Sequence, residues 1–361
     1  MSLSEKREPH FFYGYVIIVV SVCIMVISWG TFFSFGVFLE PLLTEFGLTR
    51  AVTSSIYSLA LFVNGFLSIV IGRLNDRFGP RLAVTVCGLS LGLGYLLLSQ
   101  ISVLWQLYIL YGVLIGVGMS GTFVPLASTV TRWFVKRRGL MTGIITSGQG
   151  LGLVIMVPII SWLVTNYGWR QSYIIVGVII LVLVISAAQF LKRDPAQLGL
   201  LAYGENKVNA GGSNLTAAGY SLREAMHTKQ FWMLSIMFFS VFFCLGSITV
   251  HIVIHATGLG ISVTAAANIL AIIGGIGILG RIILGSVGDR ISNKVASIIS
   301  FSLMSVALFW LAWAQDLWML YLVAGIFGLG FGGVLALLSP MSAELFGLRS
   351  QGVILGVFMF G

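Results

Sequence analysis

The chain has 361 residues, 58% of them hydrophobic and only 9% charged, with a mean hydropathy of +1.03. A soluble domain carries about 25% charged residues, so this composition excludes a water-wetted globule. The formal net charge of +9 would suit a nucleic-acid binder, but the placement of the cations points to a membrane instead.

Apolar runs of about 20 residues, enough to cross a hydrocarbon layer of roughly 30 Å, recur along the whole length. They predict helices over 12–39, 51–72, 80–100, 104–131, 138–165 and 169–191. Further helices are expected over 230–256, 262–287, 293–314 and 317–343, and an eleventh from 350 is still apolar at Gly361. The first run is too long for a signal peptide and lacks a small-residue cleavage site. With a cytoplasmic N-terminus, every Lys and Arg falls on the cytoplasmic side except Arg50, Arg170 and Arg281. That is the positive-inside asymmetry. The basic balance is therefore a topology signal, and no nucleic-acid partner is expected. Both termini of the complete protein are expected in the cytoplasm, around a prokaryotic inner membrane. Cys23, Cys87 and Cys244 lie inside predicted spans with no metal-ligand spacing. They read as small packing residues, so neither metal nor cofactor is expected.

Composition breaks clearly at 192–229, which holds Pro195, Gly204, Asn206, Gly211, Gly212 and Ser213. This reads as a flexible cytoplasmic linker between an N-terminal six-helix bundle, 1–191, and a C-terminal bundle, 230–361. The two bundles are copies. A shift of 213 residues lays Gly47 on Gly260, Gly72 on Gly285, Asp76 on Asp289, Tyr108 on Tyr321, Gly139 on Gly352 and Gly143 on Gly356. Parallel six-helix repeats about a midmembrane site are a transporter plan in which the halves rock about the cargo. The same shift predicts helices near 352–378 and 382–404, so twelve are expected and the chain ends about 45 residues before the second repeat closes. The fold class is an all-α membrane protein of two six-helix repeats, expected to act as a monomer in the bilayer.

The segment Gly72-Arg73-Leu74-Asn75-Asp76-Arg77-Phe78-Gly79-Pro80-Arg81 resembles the loop signature of the major facilitator superfamily. Gly285-Ser286-Val287-Gly288-Asp289-Arg290 is its degenerate copy. Gly72 lets two helices approach. Asp76 and Asp289 at cytoplasmic helix ends are expected to meet arginines, Arg77, Arg81 and Arg290 among them, in a latch that breaks as the halves rock. The competing reading is that these charges only set topology. A narrower resemblance rests on Phe12-Tyr13-Gly14-Tyr15-Val16, Ser34-Phe35-Gly36-Val37-Phe38 and Glu45-Phe46-Gly47-Leu48-Thr49-Arg50. Arg132-Trp133-Phe134-Val135-Lys136-Arg137-Arg138-Gly139-Leu140 and Gln230-Phe231-Trp232 complete the set. Together these are similar to the oxalate/formate antiporter and monocarboxylate porter group, which implies uptake or exchange of small carboxylates.

Arg281 leads to the same cargo from the residues alone. The acidic residues all fall in loops or at helix ends, so no intramembrane carboxylate is available to it. Such a cation costs at least about 2.5–3.5 kcal/mol to bury and is a functional candidate by default. Its fork fits a carboxylate bidentately, its repeat counterpart is Ser68, and Gly277 and Gly274 on the same face leave room for cargo. Snorkelling to the cytoplasmic edge is the competing reading. The resemblance implies that carboxylates dock on this eighth-helix arginine, with cavity aromatics at Phe33, Phe123 and Phe331. Packing accounts for those rings equally well. His251 and His255, one turn apart, are candidate proton carriers, and Asn64, Gln149 and Asn268 are intramembrane amides that line the path or bond neighbouring helices.

Two departures from the group shape the expectation. Its dicarboxylate exchangers have a lysine in the eleventh helix, where this chain has Phe358. One fixed charge suits a monoanion better. Its animal monocarboxylate carriers have an aspartate and a lysine where this chain has Gly277 and Phe33, so coupling through that relay is not expected. The leading expectation is a secondary active transporter of lactate- or pyruvate-like monocarboxylates, with proton symport, working by rocker-switch alternating access. A carboxylate exchanger of the oxalate/formate type is the alternative, then a drug-efflux carrier or a non-transporting sensor. No acid–base or nucleophile constellation suggests an enzyme.

Overall fold

The computed structural model describes residues 12–47, 49–205 and 219–360. Lys6, Arg7, the linker core 206–218 and Gly361 lie outside the described residues.

The first crossing is α1 (Gly14–Phe33) continued by α2 (Phe35–Phe46). Between them the Ser34 hydroxyl donates to Gly30 O at 2.7 Å, one of the local bonds that bend helices. Next come α3 (Arg50–Phe78) and α4 (Pro80–Leu98). The fourth crossing is segmented into α5 (Leu104–Leu107), a π-wound stretch Tyr108–Ile115, α6 (Gly116–Ser120) and α7 (Val124–Trp133). α8 (Arg138–Ile179) carries the fifth crossing and starts the sixth, broken at Gly168 with φ 76 and ψ 164; α9 (Ile185–Gln189) finishes it. After the short α10 (Leu222–Met226) follow α11 (Lys229–Gly258), α12 (Val263–Arg290), α13 (Asn293–Leu311), α14 (Leu317–Phe346) and α15 (Gln351–Phe360). Among the described residues nine helical segments are long and apolar enough to cross a membrane, Arg138–Gln189 being a double one. The chain is a multi-pass membrane protein.

The repeat is visible in the caps. Thr49 accepts from Val52 N at 3.4 Å to start α3, and Ser262 accepts from Ala265 N at 3.3 Å to start α12. Gly47 and Gly260, in the turns before those caps, have φ of +61 and +82, where a side chain would be strained. Both helices outrun their apolar stretches. The 29 residues of α3 span about 43 Å, longer than the bilayer core, so Gly72 to Phe78 form its last turns rather than a loop.

Glycines set the helix approaches, as membrane packing favours. Within the first half Gly30 meets Gly152 O; within the second, Gly332 meets Gly277 O. Across the halves, Gly72 packs on Gly352 and Gly356 on Ser68 O, joining α3 to α15. The same contacts shifted by 213 join α8 to α12, with Gly139 on Gly285 and Gly143 on Arg281 O. A pseudo-twofold relation therefore closes one end of the bundle, the latch end. The described parts of the linker are anchored there rather than loose. Trp133 Nε1 donates to Lys192 O at 2.9 Å, Tyr203 N donates to Trp133 O at 2.9 Å, and Tyr220 N donates to Phe346 O at 2.8 Å.

Candidate functional site

Between the halves lies a cavity of about 680 Å3. On α3 it is lined by Tyr57 and Leu61, and on α12 by residues from Leu270 to Arg281. It therefore sits on the far side of the glycine crossings from the latch end. Arg281, Phe33, Phe123, Phe331, Gly277 and Gly274 all line it. The structure brings together residues from α1, α12 and α14 with Phe123 at the start of α7.

Arg281 is 6% exposed. Its Nη2 donates to Gln149 Oε1 at 3.4 Å, while Nε and Nη1 have no partner. Among the described residues no carboxylate pairs with it. It stands nine residues before Arg290, about 13 Å from the end of α12, and it faces an amide in mid-α8 rather than the bundle edge. A buried cation with one long hydrogen bond is an unbalanced charge, of the kind an anion in the cavity can balance. Space is available beside it. A Cβ on Gly274 would meet nothing within 4 Å, and one on Gly277 only Gly328 O at 3.5 Å. The Phe33 ring stands 5.5 Å from that of Trp29, and Phe331 6.4 Å from Phe327.

Sequence reasoning singled out Gln149 only as one of three intramembrane amides, and it missed Trp29 altogether. Asn64 and Asn268 do not line the cavity. His251 and His255 are elsewhere too, in a separate groove of about 510 Å3 between α11 and α13 with Leu308 and Leu311. Phe358 also faces away. It is 1% exposed among Phe231, Phe238 and Phe346, at ring distances of 5.3, 5.7 and 6.3 Å, and its neighbour Met359 lines the cavity instead.

At the latch end the two aspartates meet backbone rather than the arginines named with them. Asp76 accepts from Gly352 N and Val353 N, each at 3.0 Å, at the start of α15. Asp289 accepts from Gly139 N and Leu140 N, each at 2.7 Å, at the start of α8. The reason is that a helix start exposes unpaired N–H groups and the positive end of its dipole. Arg77 instead lies over the Phe78 ring at 5.0 Å, Arg81 Nε donates to Gln189 Oε1 at 2.7 Å, and Arg290 is exposed. The cation that does join Asp76 is Arg132, at 3.4 Å. It also reaches Asp194 at 3.5 Å and donates to Leu348 O at 2.6 Å in the other half.

Two repeated helical halves, a cavity between them and a closure at one end are the architecture of a membrane transporter. The chain belongs to the Major Facilitator Superfamily, whose family model matches residues 20–361. It is similar to monocarboxylate transporter 13 of Bos taurus, 30% identical over 299 residues that cover 82% of this chain and 66% of that protein. It is similar also to the oxalate:formate antiporter of Oxalobacter formigenes, 27% identical over 342 residues, with 91% of this chain and 77% of that protein covered. Its fold matches the proton:xylose symporter XylE bound to 6-bromo-6-deoxy-D-glucose with a TM-score of 0.72 at 14% identity, covering 96% of this chain and 85% of that one.

Proposed function

We propose that this transporter carries small monocarboxylates by alternating access, with Arg281 as the anion site. The carrying observation is a buried guanidinium, open to a cavity and left without a carboxylate partner among the described residues. Phe33, Phe123 and Phe331 form the apolar wall, and Gly274 and Gly277 the clearance. Asp76, with Gly72 one turn before it, and Asp289 hold the cytoplasmic end closed in an outward-facing arrangement; Arg77, Arg81 and Arg290 serve as its topology-setting charges. The monocarboxylate and oxalate:formate relatives support this cargo class. A single fixed charge favours lactate- or pyruvate-like monoanions over oxalate.

Coupling has two readings. In proton symport the proton accompanies the anion, and uptake follows a pH gradient. Exchange is favoured by the same guanidinium, because the empty carrier must reorient with an unbalanced buried charge and the loaded one need not. The test uses purified protein in liposomes, with labelled lactate, formate and oxalate and with or without a pH gradient. Arg281→Ala is expected to abolish uptake and ligand-induced thermal stabilisation, a loss of about 2–5 kcal/mol in binding. Arg281→Lys keeps the charge without the fork and falls between. If Arg281→Ala is stabilised by carboxylate as strongly as wild type, the anion site lies elsewhere.

A further inference from the structure

A two- or three-carbon acid seated on Arg281 fills only a small part of about 680 Å3. The remaining space arises where the repeat is broken. Shifted by 213, Phe33 and Leu61 of the first half fall on Gly246 and Gly274 of the second, and all four line the cavity. A Cβ at either glycine would meet nothing within 4 Å. On α12, Gly277 and Gly274 stand one and two turns ahead of Arg281, so bare backbone leads away from the guanidinium. The rest of the lining includes the rings of Trp29, Phe33, Phe123, Phe242 and Phe331. Thr249, a hydroxyl in that lining, already donates to Leu245 O at 2.9 Å.

We propose that the preferred cargo is a monocarboxylate with a bulky apolar body, aryl or branched alkyl. Its carboxylate sits on Arg281 and its body lies in the hollow left by Gly246 and Gly274. This rests on the carboxylate reading of Arg281. Apolar walls of this kind contribute nothing to a short acid, but each buried methylene improves binding about four-fold, and aromatic walls pack well on aryl groups. An α-ammonium group finds no acidic side chain among the described lining residues, which favours 2-oxo and 2-hydroxy acids over the matching amino acids.

The experiment is ligand-induced thermal stabilisation of the purified protein by pyruvate, phenylpyruvate, 4-methyl-2-oxopentanoate and phenylalanine. Phenylpyruvate and 4-methyl-2-oxopentanoate should reach half-effect at concentrations at least about ten-fold below pyruvate, and phenylalanine should be the weakest. Gly274→Leu and Gly246→Phe restore the side chains of the other half. Each should cut the phenylpyruvate-to-pyruvate preference by at least about ten-fold. Pyruvate binding as tightly as phenylpyruvate in wild type overturns the inference while leaving the Arg281 site standing. So does an unchanged preference in both variants. If no acid stabilises the wild type, the carboxylate reading fails and this inference with it.

Discussion

At the proposed anion site, Gln149 sets how much of the Arg281 charge remains for a ligand. Its amide oxygen occupies one corner of the fork at 3.4 Å without neutralising it. Gln149→Glu places a fixed carboxylate at that corner, an internal competitor for the anion. Anion affinity should fall by at least about 30-fold, equivalent to roughly 2 kcal/mol, with the melting temperature held or raised. Gln149→Leu should cost far less. Isothermal titration of both variants checks this, and undiminished binding by Gln149→Glu would show that the ligand does not use this fork. At this scale Arg281 was legible because a cation inside an apolar run is conspicuous whatever the fold. Trp29 was not, since nothing in a chain this rich in aromatics separates a cavity ring from a packing ring. The direction in which Phe358 points was not legible either. Counting along a helix gives a position to within a residue, but a one-residue step turns a side chain by about 100°, from the cavity to the Phe231–Phe346 cluster.

The closing elements are α3 against α15 and α8 against α12, each held by a carboxylate on the opposite helix start. Such a contact contributes about 1 kcal/mol. Asp76→Asn or Asp289→Asn should therefore raise the ratio of molecules open at the latch end about five-fold each. The double variant should multiply the two, because both contacts bias one equilibrium. Spin-label distances across the latch end measure those populations, and a double variant no more open than either single one would break the shared-gate account. The sequence located both aspartates through the 213-residue shift and expected arginines near them, as Arg132 is near Asp76, but it did not show their backbone partners. Side-chain charges are written in a sequence; the bare N–H groups of a helix start are not, because they exist only once the helix has formed. The α3 boundary was set short for a comparable reason. Hydropathy marks where lipid ends, while the helix continues as long as its backbone is satisfied.

For the molecule as a whole, the described linker ends, at Tyr203 and Tyr220, are both tied to the latch end through Trp133 and Phe346. From the cation asymmetry we propose that this end faces the cytoplasm. Protease added to right-side-out vesicles should leave 206–218 uncut, and inside-out vesicles should be nicked there. Cleavage from the outside would invert the topology. The two-repeat architecture was legible because duplication leaves a constant offset that survives sequence drift. The cavity was not, because it is formed by what the halves leave between them. Under the proposed cycle the guanidinium of Arg281, the one cationic group in the cavity lining among the described residues, also has an electrical consequence. As access switches from one face to the other, the empty carrier moves one positive charge relative to the membrane field, at most about 2.3 kcal/mol per 100 mV. With a monoanion aboard the moving unit is neutral. One-for-one exchange should thus be blind to membrane potential, whereas net uptake, which needs the empty return, should be gated by it.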